Sequence, residues 1–124
     1  FEDPKGQIWI ITTSMGLFCF DPLQRSIRSF FQNNNTLVAG CVGPTGDVLI
    51  ATLSELFRFD ERSGTFGSTL IGQKLGPKSL IRTIFPDKNG HLWVTTSEDG
   101  VFRMGPANIT QFTNHQRRRN QWSM

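Results

Sequence analysis

One pattern occurs three times along this chain, and it constrains the fold more than any other feature. Each copy has a turn that ends in glycine, an apolar segment that ends in threonine, and a second apolar segment that contains phenylalanine. The glycines are Gly6, Gly46 and Gly90, and the threonines Thr12, Thr52 and Thr96 keep the same spacings of 40 and 44 residues. A period of this length predicts a repeat architecture in which each copy packs against its neighbours.

The repeats predict short strands, because β-branched and aromatic residues dominate them and no helical period of 3.6 residues is present. The predicted first strands are 37–42 and 79–85, the second strands 7–12, 47–52 and 91–96, the third strands 17–21, 56–60 and 101–104, and the outer fourth strands 26–31, 65–70 and 109–112. The second strands are nearly continuous apolar runs, as expected for sheets covered on both faces. Their hairpin-length connections require antiparallel pairing. The predicted fold class is therefore all-β, a β-propeller fragment of about three four-stranded antiparallel blades.

The pattern is most complete in two of the copies. The first contains Asp3, Gly6, Trp9, Thr12, Gly16, Leu17 and Phe18, and the third contains Asp87, Gly90, Trp93, Thr96, Gly100 and Phe102. On these residues the repeat resembles that of the two-component regulator propeller family over residues 1 to about 113. The second copy departs from the pattern, because Gly43 replaces the aspartate, Leu49 replaces the tryptophan and the glycine before Leu56 is missing. The resemblance implies the periplasmic sensor region of a Bacteroidetes-like hybrid two-component histidine kinase that detects glycan-derived oligosaccharides.

The expected blades are about 1–36, 37–78 and 79–113, followed by a basic tail at 114–124. The first blade is expected to lack its inner strand, because the chain starts in the turn that follows it. Three blades would leave two apolar faces in water, and such faces require a partner. We therefore expect either the remaining blades of a longer parent chain or a second copy in a homo-oligomer.

The charge of the chain argues against a nucleic-acid-binding surface. The net charge of +3 comes from Arg117, Arg118 and Arg119, since the rest of the chain holds equal numbers of basic and acidic residues. A nucleic-acid-binding domain would carry its positive charge on the folded surface, so this segment is expected to bind no nucleic acid. No apolar run reaches about 18 residues, and any membrane contact is expected only through regions absent from this chain.

Loops that vary between the copies predict where a ligand binds. In a propeller, the loops between second and third strands share one face of the disc with the loops that lead into the inner strands, and variable loops on a rigid scaffold commonly form binding sites. The candidate residues there are Asn34, Asn35, Lys78, Arg82, Ser97, Glu98 and Asp99. Amides, hydroxyls and an arginine suit the hydroxyls of an oligosaccharide or a uronic carboxylate.

No catalytic, metal-binding or cofactor-binding pattern is recognised, and the chain is expected not to be an enzyme. A fragment of a propeller-type carbohydrate-active lyase or hydrolase, or a protein-interaction scaffold, remains the alternative. Trp9 and Trp93 occupy matching repeat positions, which favours core packing over sugar stacking. Cys19 and Cys41 lie in apolar runs and are expected to act as small buried hydrophobic residues, although a disulfide between them stays open.

Overall fold

The computed structural model describes residues 1–31 and 36–113, which form three consecutive antiparallel sheets. The first sheet contains β1 (Ile8–Ile11), β2 (Leu17–Asp21) and β3 (Ser26–Phe30). The second contains β4 (Leu37–Val42), β5 (Val48–Thr52), β6 (Leu56–Asp60) and β7 (Thr65–Ser68). The third contains β8 (Ile81–Pro86), β9 (Leu92–Thr96), β10 (Val101–Met104) and β11 (Ile109–Phe112). The prediction of an all-β propeller fragment is confirmed, and we call the sheets the first, second and third blades.

Two strand ends differ from the sequence prediction by two residues, and the other ends agree or differ by one. The inner strand of the third blade begins at Ile81 rather than at Ser79. The outer strand of the second blade ends at Ser68, and a short 3-10 helix (Ile71–Lys74) follows it. Leu70, just before this helix, adopts a positive φ of 68°, so the chain leaves the strand direction there. The basic tail at 114–124 lies outside the described residues.

The first blade has three strands and only the end of an inner strand. The amino group of Phe1 donates to the carbonyl oxygen of Trp9 at 2.9 Å, and the amide of Trp9 donates back to Phe1 at 2.8 Å. A single bridge also pairs Glu2 with Ile8. Residues 1 and 2 therefore hold the positions that Cys41 and Val42 hold in the second blade.

The core lies between the blades, because alternate residues of each second strand point to opposite sides. On β5, Val48 and Ile50 pack with Trp9 of the first blade, whereas Leu49 and Ala51 pack with residues of the third blade. All five residues of β5 are buried, which explains why its sequence is a continuous apolar run. We call the side of a blade that faces the next blade its forward face, and the opposite side its rear face.

The two cysteines contribute to different interfaces. Cys19 is buried in the core between the first and second blades, and the partly buried Cys41 packs against the core between the second and third. Both are free thiols. Burial raises the pKa of Cys41 to about 11, and burial, partly offset by the hydrogen bond from Arg28, raises the pKa of Cys19.

The aspartate of the repeat binds the tryptophan six residues later. In the first blade the indole Nε1 of Trp9 donates to Asp3 Oδ2 at 2.8 Å, and in the third blade Trp93 donates to Asp87 at 2.7 Å. Trp9 is only 2% exposed, as expected for a core residue, whereas Trp93 is partly exposed on the forward face of the third blade. Within the described part of the chain, no helix is long and apolar enough to cross a membrane.

Candidate functional site

The loops between second and third strands and the connection from β7 to β8 lie on one side of the sheets, which we call the loop face. The opposite side, the turn face, contains the turns at 3–6, 43–46 and 87–90 and the turns between third and fourth strands. The threonine of each repeat shapes the loop face. The hydroxyl of Thr12 donates to the carbonyl of Gly16 at 2.6 Å, and Thr96 donates to Gly100 at 2.7 Å. The same hydroxyls accept a backbone N–H from inside the loop, so each threonine holds its loop closed.

Carboxylates of two of these loops hold the connection between the second and third blades. Glu55 Oε1 accepts the backbone N–H of Gly72 at 3.0 Å, and Asp99 Oδ2 accepts that of Gly76 at 2.7 Å. The backbone of Ile81 also donates to the carbonyl of Leu53. The connection is therefore held at Gly72 and Gly76 by side chains 17 and 23 residues away in sequence, and where it joins β8 by a backbone bond.

The structure brings the candidates of the third blade together at the start of β8. Ser97 Oγ accepts the N–H of Leu80 at 2.9 Å, and the N–H of Ser97 donates to the carbonyl of Leu80. The buried Ser79 accepts the N–H of Glu98 at 3.3 Å. The side chains of Ser97 and Asp99 thus accept backbone N–H groups of the segment between β7 and β8. The Glu98 side chain extends into solvent.

Arg82 occupies a β-bulge of the inner strand. Ile81 pairs with Thr96 and Thr83 pairs with Thr95, so Arg82 is the additional residue between them. The second blade has a bulge at the same place, where Val38 lies between Leu37 and Ala39. A bulge re-aims the side chain it contains, and here Arg82 is exposed at the inner edge of the third blade.

The exposed charges of this region are Lys78, Arg82 and Glu98, and none of their side chains has a hydrogen-bond or ion-pair partner in the described part of the chain. Asn34 and Asn35 lie outside the described residues. Among residues 1–31 and 36–113, no cluster of three or more metal-binding side chains is present. His91 lies on the turn face, with its Nδ1 atom 3.7 Å from Asp87 Oδ2.

A second region, which the sequence analysis did not identify, lies on the turn face between the second and third blades. It is a cavity of about 80 Å³ bordered by Gly43, Leu49, Arg58, Leu92 and Met104. Arg58 Nε lies 2.9 Å from Asp47 Oδ2 at its rim. The sequence does contain a signal for this region. Gly43 and Leu49 stand where the other two repeats have aspartate and tryptophan, so both residues are lost together in the second repeat.

Comparison with known proteins identifies the repeat. Residues 76–98 match the family described as two component regulator propeller. No curated protein sequence matches the chain.

Solved structures similar to the chain include two extracellular domains and a lyase. The extracellular domain of a protein described as a one component system from B. thetaiotaomicron has a TM-score of 0.68 and 18% identity, over 90% of this chain and 15% of that one. The extracellular domain of a hybrid two component system from the same organism has a TM-score of 0.65 and 20% identity, over 86% and 14%. A catalytically inactive virginiamycin B lyase from Staphylococcus aureus, with quinupristin, has a TM-score of 0.72 and 15% identity, over 91% and 39%. The chain thus spans less than half the length of each structure, and at these identities the similarity establishes the fold.

Proposed function

The chain contains a repeat of the two component regulator propeller family at residues 76–98, and from this premise we propose that it is a ligand-binding segment of an extracytoplasmic sensor. The sensor is the periplasmic part of a hybrid two-component system, and its ligands are oligosaccharides derived from glycans. Two structural neighbours are extracellular domains of signalling systems, which supports this proposal.

The observation that carries the proposal is the group of unpaired charges around the bulge of β8. Arg82 is exposed at the bulge, and the exposed Lys78 and Glu98 lie on the segments that Ser97, Ser79 and Asp99 join by hydrogen bonds to the backbone. A guanidinium can bind a uronic carboxylate through two parallel hydrogen bonds. We therefore assign the binding of acidic oligosaccharides to Arg82 and Lys78, with Asn34 and Asn35 as candidates on the preceding connection.

The proposed segment is not an enzyme, and the kinase activity belongs to other parts of the parent protein. The similarity to a lyase supports one alternative, a propeller-type carbohydrate-active lyase or hydrolase. A protein-interaction scaffold is the other. The proposed partners of the exposed blade faces are further blades of the parent chain or a second copy.

Calorimetric titration with neutral and uronic-acid oligosaccharides tests the proposed function. We expect saturable binding of a uronic-acid oligosaccharide that Arg82→Ala weakens by at least about tenfold, because a charge-assisted hydrogen bond is lost. Arg62→Ala removes the same charge from the turn face and serves as the matched control. Absence of binding to the whole panel would contradict the sensor function, and turnover of any oligosaccharide would establish the enzyme instead.

A further inference from the structure

The forward faces of the first and third blades each bring a tryptophan, a phenylalanine and an arginine together, and the second blade differs. In the first blade, Trp9 packs with the rings of Phe30, Phe59 and Phe66, at centroid distances between 5.2 and 5.9 Å. The guanidinium of Arg28 lies over two of these rings, 5.7 Å from Phe30 and 5.5 Å from Phe59. This interface therefore contains an aromatic cluster with a cation over its faces.

The third blade repeats this arrangement on its forward face. Trp93 stacks on Phe112 at 5.9 Å. The guanidinium of Arg103 lies 5.8 Å from the Trp93 ring and 5.6 Å from the Phe112 ring. A tryptophan, a phenylalanine on the outer strand and an arginine above them thus recur in two blades out of three.

In the second blade the arginine is present but the rings are absent. Strand register places Arg58 where the third blade has Arg103, because Arg58 pairs with Leu49 as Arg103 pairs with Trp93. By the same register Leu49 replaces the tryptophan, and Thr69 holds the position of Phe30 and Phe112. At the first interface, Phe59 and Phe66 of the second blade pack against Trp9. The equivalent residues of the third blade are Met104 and Ile109.

The missing rings leave the cavity described above. Two of the residues that replace them, Leu49 and Met104, border it, and it continues into a groove lined by Arg58, Thr69, Met104 and Ile109. We call the cavity and groove together the notch. The cavity, about 80 Å³, is smaller than the ~150 Å³ apolar cavity that admits benzene in an engineered protein. A ring bound here therefore extends from the cavity into the groove of about 360 Å³.

The Arg58 side chain has spare binding capacity. Its Nε group pairs with Asp47, and its two Nη groups have no hydrogen-bond partner among the described residues. A guanidinium within about 6 Å of an aromatic face contributes a cation–π interaction. Arg28 and Arg103 make this interaction, and Arg58 makes none with a ring in the part of the chain that the structure describes. An aliphatic ligand could fill the same space but could not supply that interaction.

We propose that the notch between the second and third blades binds the planar aromatic ring of a small molecule, of the phenol or indole class, beneath the Arg58 guanidinium. The ring packs on Leu49 and Met104 and takes the place that a tryptophan of the same repeat position fills elsewhere. The cavity of the notch opens between turns of the turn face, and Lys78 and Arg82 line neither the cavity nor the groove, so this site does not depend on the proposed oligosaccharide site.

The test compares phenol with cyclohexanol, which has a similar size and the same hydroxyl but no aromatic face. Backbone amide shifts of the isotopically labelled chain are followed by NMR during each titration. We expect saturable shifts at Leu49, Arg58 and Met104 with phenol, and binding of cyclohexanol that is weaker by several-fold. Arg58→Gln should reduce phenol binding to the level of cyclohexanol, whereas Arg62→Gln, with the same loss of charge, should leave it unchanged.

Filling the notch supplies the second part of the test. The double variant Gly43→Asp, Leu49→Trp restores the pair found in the other two blades, and Thr69→Phe places a ring at the position equivalent to Phe30. Either variant should abolish the phenol shifts while the circular dichroism spectrum is kept. The proposal is wrong if phenol shifts appear only at Trp93 and Phe112, if cyclohexanol binds equally well, or if binding survives in a folded filled variant.

Discussion

At the scale of single residues, the aspartate of the repeat supplies the acceptor for the buried indole N–H of Trp9. Asp3 is 6% exposed and accepts the N–H groups of Lys5, Gln7 and Trp9, at 2.9, 2.9 and 2.8 Å. It joins the tight turn to the indole in the core, and its loss would leave three donors without their acceptor.

Asp3→Ala should therefore lower the free energy of unfolding by about 3 kcal/mol, because a buried donor without a partner costs about 1–3 kcal/mol. Urea denaturation followed by tryptophan fluorescence measures the change. Asp21→Ala is the matched control: it removes an aspartate that accepts two N–H groups in an exposed turn, and it should cost less than about 1 kcal/mol. Equal costs for the two variants would contradict this role of Asp3.

The equivalent carboxylate of the third blade makes stability depend on pH. The backbone N–H of His91 and then the indole N–H of Trp93 hold the pKa of Asp87 below its ordinary value of 3.8. A depressed pKa contributes stability that is complete above the unfolded-state value and is lost as the pH falls through the lower folded-state value. Asp87→Asn should therefore make the fall of stability below about pH 4 shallower, as measured by urea denaturation at successive pH values. An unchanged slope would show that Asp87 does not contribute.

Gly43 and Leu49 form the corresponding pair in the second blade, and they should be replaceable only together. A Cβ atom on Gly43 would lie 2.7 Å from Leu49 Cδ1, so Gly43→Asp alone should destabilise the fold by about 1–3 kcal/mol through overpacking. Leu49→Trp alone adds an indole N–H that lacks its carboxylate. A double-mutant cycle should show a favourable coupling of about 1–3 kcal/mol, whereas additive costs would argue against the equivalence of the two positions.

At the scale of the elements, the connection between the second and third blades depends on carboxylates from the neighbouring loops. Asp99→Ala should remove the bond to Gly76 and increase its amide exchange, while the amides of β9 keep their protection. Hydrogen exchange by NMR measures both. Glu98→Ala, whose side chain has no partner among the described residues, is the control. Faster exchange throughout the third blade would show that Asp99 supports the whole sheet rather than the connection alone.

Strands were predictable from the sequence because their signal is local. Turn residues at 3–6 and 87–90 and apolar runs between them mark each hairpin, and the strands at 17–21, 37–42 and 56–60 agree with the structure at both ends. The 3-10 helix was missed because four residues establish no period. The use of Asp99 by the backbone of Gly76 was not predictable either, since it depends on packing between segments 23 residues apart.

The candidate site was predictable only as a list of loop residues. The sequence indicated which loops share a face, but not that a bulge would expose Arg82 or that Ser97 would bind the backbone of Leu80. The sequence carried a signal for the notch, because aspartate and tryptophan are lost together in the second repeat. The structure was needed to interpret this signal, because the repeat alone does not show that these two residues, six positions apart, are in contact.

At the scale of the whole molecule, the two outer flanks are unlike and complementary. The rear face of the first blade presents Ile10 and Ile27, which are 43% and 61% exposed. The forward face of the third blade presents Trp93, Phe85 and Phe112. The equivalent positions of the other blades pack together inside the chain, at the interface between the first and second blades where Trp9 is buried. We expect the isolated chain to associate head to tail.

Sedimentation velocity over a range of concentrations tests this expectation. The wild-type chain should form species larger than a monomer, and the double variant Trp93→Glu, Phe112→Glu should shift it towards monomer because it places charges on the forward face. Leu23→Glu is the control, since Leu23 is 91% exposed in the turn between β2 and β3 and not on a strand. A wild-type chain that remains a folded monomer at all concentrations would contradict the proposed partners.

The position of the two thiols makes each blade interface separately observable. Cys19 lies in one interface and Cys41 packs against the other, and burial raises the pKa of both. Since the thiolate is the reactive form, alkylation at neutral pH will be slow while the blades stay closed. In a variant that keeps only one of the two cysteines, the rate of maleimide alkylation would therefore report how fast the blades at that interface separate. The other interface would give no signal.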